Sequence, residues 1–156
     1  MEDVVGAEVT IRRATSRDVE AIVQLLMDDD LGAQRDSLDD LAPYFEAFAA
    51  IDRDANQLLV VMEREGAVIG TQQLTLLPGL SYKGATRMQI EAVRVASSER
   101  GGGLGTQLIE WAIDYARERG CLMVQLTSNS ARVDAHRFYR RLGFEQSHAG
   151  FKLKLT

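Results

Sequence analysis

A run of strand-forming residues leads through a glycine-rich turn directly into an amphipathic helix, and this arrangement restricts the fold more than any other feature of the sequence. Residues 88–95 have the composition of a strand, and residues 100–105 form the turn. Apolar side chains between Leu104 and Ala116 then repeat at helical spacing, and Gly120 ends the helix. A strand followed closely by such a helix predicts a sheet with the helix packed on it.

The segments before this unit predict two helices and three more strands. Thr15 and Asp18 have the spacing of a capping box at a helix start. A second helical stretch contains Phe45 and Phe48. The dipeptide Glu65-Gly66 is typical of a tight turn between two strands.

The segments after it predict a short strand at 122–127, a helix that ends at Gly143, and a last hairpin in which Phe151, Leu153 and Leu155 alternate with lysines. The full order is β-α-α-β-β-β-α-β-α-β-β. It predicts an α/β fold with a central, mixed and twisted sheet of about seven strands and helices on both faces. We expect a single domain over residues 1–156, with its core at 8–156.

Charge and cysteine content exclude several classes of protein. The formal net charge of the 156 residues is −5, which disfavours nucleic acid as a partner. The one cysteine, Cys121, forms no intramolecular disulfide and is expected in the core rather than as a nucleophile. The N-terminus lacks the features of a signal peptide, and no apolar run has the roughly 18 residues of a membrane span. We therefore expect a cytoplasmic protein without a membrane partner.

The glycine-rich turn has the properties of a phosphate-binding loop. Glycines allow backbone amides to converge, and the first turn of a helix leaves amides unpaired. A Walker A loop is excluded because no Gly-Lys-Ser/Thr is present, and Thr106 replaces the third glycine of a dinucleotide-binding fingerprint. The segment from Arg100 to Gly105 does match R-x-x-G-x-G. A flexible solvent-exposed turn is the simpler alternative.

A second motif occupies residues 135–144, where the sequence reads A-x-x-F-Y-x-x-x-G-F. Together with R-x-x-G-x-G and the element order, it resembles the GNAT N-acetyltransferase superfamily. The stretches 134–139 and 145–148 are similar to its aminoalkylphosphonate N-acetyltransferase branch. The resemblance implies an acyl-CoA N-acyltransferase fold, acetyl-CoA as co-substrate, and direct acetyl transfer to the primary amine of a small molecule. It also implies a homodimer, by analogy with many relatives.

The resemblance further implies where acetyl-CoA binds. The turn would hold the pyrophosphate, and main-chain groups of the preceding strand would bind the pantetheine amides. Tyr139 would face the sulfur, where a phenol of pKa near 10 can protonate the leaving thiolate. The predicted acetyl-CoA-binding residues are Val93, Arg94, Val95, Arg100, Gly101, Gly102, Gly103, Leu104, Gly105, Thr106, Asn129, Ala135 and Phe138. Asn129 is equally typical of a plain turn residue, and Tyr139 of a core aromatic.

Glu91 is the predicted general base. An ammonium group cannot attack a thioester until a group such as a carboxylate has accepted its proton. A glutamate inside an apolar strand is unusual, and period-two alternation predicts that Glu91 shares a face with Gln89, Val93 and Val95. The phosphonate branch also suggests that this residue lies near the acceptor amine. The alternatives are a glutamate that faces water or pairs with Arg87 or Arg94.

The acceptor is the least specified part of the prediction. Tyr44, Phe45 and Arg87 are the candidate substrate-binding residues. Nine acidic residues against two arginines between 28 and 54 favour a cationic acceptor, whereas a phosphonate would need Arg87 or another cation. No metal is predicted, and His136 and His148 are more typical of surface histidines. Two other functions stay open, a non-catalytic CoA-binding regulatory module and acetylation of a protein amine.

Overall fold

The strands of the computed structural model, which describes residues 8–156, lie side by side in the order in which they occur in the chain. They are β1 (Thr10–Arg13), β2 (Gln57–Arg64), β3 (Ala67–Pro78), β4 (Thr86–Val95) and β5 (Met123–Leu126). The first four pair antiparallel. β5 follows β4 through a helix, and the Leu122 amide donates to the Thr86 carbonyl at the start of β4 (2.8 Å). Because this is the geometry of a crossover connection, β5 runs parallel to β4 and the sheet is mixed.

Helices cover both faces of this sheet, as predicted. These helices are α1 (Val19–Leu26), α2 (Asp30–Arg35), α3 (Ala42–Asp52), α4 (Ser81–Gly84) and α5 (Leu104–Glu118). A further helix, α6 (Val133–Arg141), follows β5 in the chain. On one face the Gln72 side chain of β3 donates to the Leu108 carbonyl of α5 (2.9 Å). Its neighbour Gln73 faces a cavity that α1 and α3 also line. Adjacent strand residues point to opposite faces, so α5 packs on one side and α1 with α3 on the other.

Two local predictions are confirmed. Thr15 caps a short 3₁₀ turn before α1, and Asp18 completes the capping box. The hairpin between β2 and β3 turns at Glu65 (φ 51°) and Gly66 (φ 81°). Two successive positive φ values are those of the two-residue turn whose twist matches a right-handed hairpin.

The predicted last hairpin is wrong. No strand occurs in residues 144–156, and the described chain therefore has five strands instead of about seven. Phe151, Leu153 and Leu155 are 94%, 85% and 90% exposed. Alternation of apolar and polar residues favours an extended chain, but a strand also needs a neighbouring backbone to pair with.

The chain divides into two units, the first ending at Gln125 and the second comprising Leu126–Thr156. Among residues 8–156 no helix has both the length and the apolar character needed to cross a bilayer.

A buried ion pair connects β1 to the start of α1. Arg12 donates to both carboxylate oxygens of Asp18 (2.9 and 3.0 Å) and to Glu63 on β2 (2.6 Å). Asp18 is 6% exposed and also accepts from the Thr15 amide (2.7 Å). The hydrogen bonds from Arg12 lower the pKa of Asp18 below its ordinary value. The stabilisation is therefore present at neutral pH and is lost as the pH falls below about 4, through the pKa of the folded state.

The variant Asp18→Asn is expected to lower the free energy of unfolding at pH 7 by about 2 kcal/mol, since it removes charge-assisted bonds from a buried site. Its stability should also change less than that of the wild type between pH 7 and 3. Urea denaturation at both pH values measures this. Asp52→Asn is the control, because Asp52 pairs with Arg13 at an exposed site and should lose less than about 0.5 kcal/mol. Equal losses in the two variants would contradict the assignment.

Candidate active site

A β-bulge interrupts the pairing of β3 with β4 in the segment that was predicted to bind the pantetheine amides. Thr71 lies opposite Arg94, and Gln73 lies opposite Glu91. One residue of β3 therefore faces two residues of β4 between these pairs. The extra residue is Ala92, whose φ of 54° is unusual for a residue with a side chain. Such bulges redirect the strand and its side chains, and they are over-represented beside active sites.

The bulge reverses the side-chain alternation of β4. Val93 and Val95 pack in the cluster that contains Leu108 of α5. Glu91 pairs with a residue of β3 that faces the opposite side of the sheet. The predicted face shared by Glu91, Val93 and Val95 is therefore wrong, although Glu91 does share a face with Gln89. The period-two rule failed because the inserted residue shifts every later side chain to the other face.

The Glu91 side chain is half-buried, and its carboxylate has no bonding partner in the described part of the chain. Among residues 8–156 it forms no hydrogen bond or ion pair. Arg87, one possible partner, donates instead to the Gln125 side chain (3.0 Å). Arg94, the other, donates to the Val93 carbonyl (2.9 Å). The purely structural alternatives of pairing with Arg87 or Arg94 are therefore not found, and the carboxylate is available to accept a proton.

The glycine-rich turn leads into α5 without a side-chain cap. Gly101 and Gly103 have φ values of 88° and 79°, and Gly103 is the N-cap. A Cβ at either position would have no neighbour within 4 Å, so backbone conformation, and not space within the fold, is what favours glycine here. The first backbone hydrogen bond of α5 runs from the Gln107 amide to the Gly103 carbonyl (3.1 Å). The amides of residues 104–106 precede this bond and face the open end of the helix.

Arg100 and Asp28 fasten this turn to the loop after α1. Arg100 donates to the carbonyls of Val95 (3.2 Å) and Asp28 (3.3 Å). The Asp28 carboxylate accepts from the Ser97 amide (2.8 Å). The side chain of Arg100 therefore braces the turn. Asp28 could not be identified from the sequence, because an acidic run that ends a helix gives no sign of a partner 69 residues away.

The three candidate substrate-binding residues lie in different surroundings. The Tyr44 side chain lines a cavity between the sheet and α1 and α3, together with Phe48. Its hydroxyl donates to Asp36 (2.9 Å), and burial raises the pKa of Tyr44 above its ordinary value. Phe45 is 43% exposed and is not part of the lining. Arg87 is four residues before Glu91 on β4, on the same face. Phe48, which lines the cavity, was predicted only as part of a helix. The one sign of its role in the sequence was its helical spacing from Phe45.

The second unit contains the remaining predicted residues, and α6 carries most of them. Ala135, Phe138 and Tyr139 are half-buried. The Tyr139 ring makes edge-to-face contacts with Phe138 and Phe144, with centroid distances of 5.1 and 5.8 Å. Asn129 accepts from the Ala131 amide through its side chain (2.9 Å), as turn asparagines do. The contacts with Phe138 and Phe144 fix the orientation of the Tyr139 ring.

Cys121 and the two histidines have other surroundings. Burial raises the pKa of the Cys121 thiol, which keeps it protonated and poorly nucleophilic at neutral pH. His136 contacts the Asn129 carbonyl (3.0 Å), and His148 contacts the Ser147 hydroxyl (2.6 Å). No group of three or more potential metal ligands was found in the described part of the chain.

Comparison with known proteins gives the family. A model of the acetyltransferase (GNAT) family matches residues 19–144, which span the bulged strand, the glycine-rich turn and α6. The chain belongs to the GNAT acetyltransferase family. Several relatives of this chain are named as acetyltransferases, and the chain is accordingly an acyltransferase.

Two similar proteins cover most of this chain. The aminoalkylphosphonate N-acetyltransferase of Salmonella typhimurium is 33% identical over 141 residues, which is 90% of this chain and 88% of the relative. A crystal structure from Bacillus halodurans C-125, described as a transcriptional regulator, is 44% identical with a TM-score of 0.92 and covers 95% of this chain and 100% of that chain. The predicted resemblance to the aminoalkylphosphonate N-acetyltransferase branch is therefore confirmed by sequence similarity.

A further solved structure supports the fold alone. Glucosamine-6-phosphate N-acetyltransferase from Arabidopsis thaliana is 21% identical with a TM-score of 0.79, covering 96% of this chain and 99% of that chain. The α/β fold with a mixed sheet is thereby confirmed, with fewer strands than predicted.

Proposed function

We propose that this protein transfers the acetyl group of acetyl-CoA directly to the primary amine of a small molecule, with both substrates bound at once. Family membership supports the reaction class. The observation that carries the proposal is the bulged strand: Glu91, with an uncommitted carboxylate, directly precedes the bulge. The same strand then continues into a turn whose helix amides have no side-chain cap.

Binding of acetyl-CoA uses the main chain in this proposal. The amides of residues 101–106 hold the pyrophosphate, favoured by the positive end of the α5 dipole. Main-chain groups of Val93, Arg94 and Val95 hydrogen-bond the pantetheine arm and polarise the thioester carbonyl. Asn129, Ala135 and Phe138 contribute further contacts to the coenzyme. Arg100 supports this binding indirectly, because its hydrogen bonds to the carbonyls of Val95 and Asp28 hold the turn in place.

The chemical steps assign one residue to each proton. Glu91 accepts a proton from the ammonium, directly or through water, and the freed nitrogen lone pair attacks the thioester carbonyl carbon. Collapse of the tetrahedral intermediate forms the amide and breaks the C–S bond. Tyr139 gives its phenol proton to the leaving thiolate, and the second proton of the attacking nitrogen, which is released as the amide forms, returns to the phenolate through solvent. Tyr139→Phe is therefore expected to lower kcat about 10- to 100-fold with little change in acetyl-CoA affinity, and unchanged kcat would remove Tyr139 from the mechanism.

A thiol-release assay across a panel of amines tests the function. The panel contains alkylamines, arylalkylamines, polyamines, aminoalkylphosphonates and a lysine-containing peptide. The proposal predicts acetyl-CoA consumption that depends on the amine, with the acetylated amine recovered by mass spectrometry. Thiol release at the rate of hydrolysis with every amine would refute it. Acetylation of the peptide alone would favour a protein acceptor instead.

One observation favours a second candidate function. The structure that is 44% identical over 95% of this chain is described as a transcriptional regulator. This chain would then be a CoA-binding regulatory module that retains the fold without the reaction. Acetyl-CoA binding detected by calorimetry, together with no turnover for any amine, would favour this candidate.

We also propose that the protein is a homodimer in the cytoplasm. The exposed Phe151, Leu153 and Leu155 support a second copy as the cover for this segment, because large apolar side chains rarely stay in water together. Light scattering should give about twice the chain mass of 17.3 kDa, and a mass of one chain would refute the dimer.

A further inference from the structure

A cavity of about 170 Å³ lies on the face of the sheet that carries Glu91. Its walls come from α1, α3 and strands β2 to β4, and include Ile22, Leu26, Phe48 and Ile51. An engineered apolar cavity of about 150 Å³ accommodates benzene. The volume is therefore sufficient for one six-membered ring or a branched alkyl group.

The bulge brings this cavity next to the proposed general base. Ala92, the inserted residue, forms part of the wall and directly follows Glu91. Gln73, the β3 partner of Glu91, forms another part. A group that extends from the cavity toward the bulge would therefore reach the neighbourhood of the carboxylate.

The lining is chemically unsuited to an anion. None of the thirteen lining residues, all within the described part of the chain, is charged. The Tyr44 hydroxyl is committed to Asp36 and Ser37, and the Gln73 amide group donates to Gln57 (2.9 Å). A phosphonate placed here would lose its hydration without gaining a cation, which is strongly unfavourable.

Arg87, the cation that a phosphonate acceptor was expected to need, is not part of this lining. It lies four residues before Glu91, about 13 Å along an extended strand, and its guanidinium donates to Gln125. By contrast, the nine acidic residues between 28 and 54 favour the approach of an ammonium. Charge and lining together indicate an acceptor that is cationic at one end and apolar at the other.

We propose that the cavity holds the apolar substituent of the acceptor, and that the acceptor is a primary amine carrying an aromatic ring or branched alkyl group, not an aminoalkylphosphonate. This inference rests on the proposed acetyltransferase function and specifies its substrate class. Ala47 and Phe48 of α3, with Ile22 of α1, then determine specificity through the shape of the cavity.

The first experiment compares kcat/KM for phenethylamine, cyclohexylmethylamine, methylamine and 2-aminoethylphosphonate at saturating acetyl-CoA. The two apolar amines should exceed the other two by about 100-fold, the discrimination that an apolar pocket supplies. Benzyl alcohol, which is neutral and lacks the amine, should inhibit competitively against phenethylamine and not against acetyl-CoA. This measurement uses the wild-type protein, so it does not depend on any variant folding.

The second experiment compares a substitution that fills the cavity with a matched substitution outside it. Ala47 lines the cavity and Ala50, three residues on in α3, does not. Both are exposed positions on one helix, and leucine favours helix at each. Ala47→Leu should lower kcat/KM for phenethylamine by about 10-fold or more, whereas Ala50→Leu should stay within about twofold of wild type.

The outcomes separate this inference from the function on which it rests. Turnover of 2-aminoethylphosphonate at least as fast as that of phenethylamine would overturn the apolar acceptor and leave the acetyltransferase function intact. Equal effects of Ala47→Leu and Ala50→Leu would overturn the cavity as its site. If acetyl-CoA binds but no amine in the panel causes thiol release, the proposed function and the substrate class are overturned together.

Discussion

Gly103→Val is expected to lower the affinity for acetyl-CoA about 100-fold or more, because it removes several charge-assisted hydrogen bonds from one site. Gly103 has a φ of 79°, which valine adopts only under strain, and the backbone would shift to relieve it. The Cβ would also project into the open space at the mouth of α5, where the pyrophosphate is proposed to lie. Calorimetric titration with acetyl-CoA measures the loss.

Gly66→Val is the matched control for this prediction. Gly66 has nearly the same φ, 81°, and a Cβ there would also have no neighbour within 4 Å. It lies in the β2–β3 hairpin turn, which is not assigned to any binding site. Both variants should lower the thermal midpoint by similar amounts, but only Gly103→Val should lose acetyl-CoA. Equal affinity in both variants would remove the turn from the binding site.

Glu91→Gln is expected to lower kcat/KM for the amine at pH 7 by about 10²- to 10⁴-fold, the range supplied by general base catalysis. The substitution keeps the size of the side chain and disturbs no hydrogen bond, since the carboxylate has no partner among residues 8–156. Affinity for acetyl-CoA should therefore be unchanged. The deficit should shrink as the pH approaches the pKa of a primary amine, about 10, because the free amine then needs no base.

The control for Glu91 is Glu110→Gln, an exposed glutamate on α5. It removes the same charge from the protein, so a nonspecific electrostatic effect would appear in both variants. Rates that match between Glu91→Gln and Glu110→Gln at pH 7 would exclude Glu91 as the base. A deficit that persists undiminished at pH 9.5 would indicate a role in positioning the amine, not in accepting its proton.

The sequence predicted those parts of the structure that local chemistry determines. The turn at Glu65-Gly66, the capping box at Thr15 and the glycines before α5 each depend on residues close together in the chain. In each case a backbone conformation or a hydrogen bond requires a particular residue type. The family, the fold class and the place of the glycine-rich turn follow from such signals.

Features that depend on pairing between distant segments were not predictable. The bulge places alanine at a φ of 54°, and nothing in the residue type of Ala92 indicates it. The face of Val93 and Val95 was therefore predicted wrongly, and the cavity beside Glu91 was not foreseen. The last hairpin failed for a related reason, since alternation at Phe151 and Leu153 cannot specify which backbone a strand will pair with.

The central claim is that main-chain amides at the mouth of α5 bind the diphosphate of coenzyme A. The most direct measurement is a titration of the ¹⁵N-labelled protein, followed through the amide resonances of Gly101, Gly103 and Gly105. Coenzyme A should shift all three, whereas pantetheine, which lacks the diphosphate, should leave them in place. If saturating coenzyme A leaves these three resonances unmoved, the diphosphate does not bind at this turn and the account is contradicted.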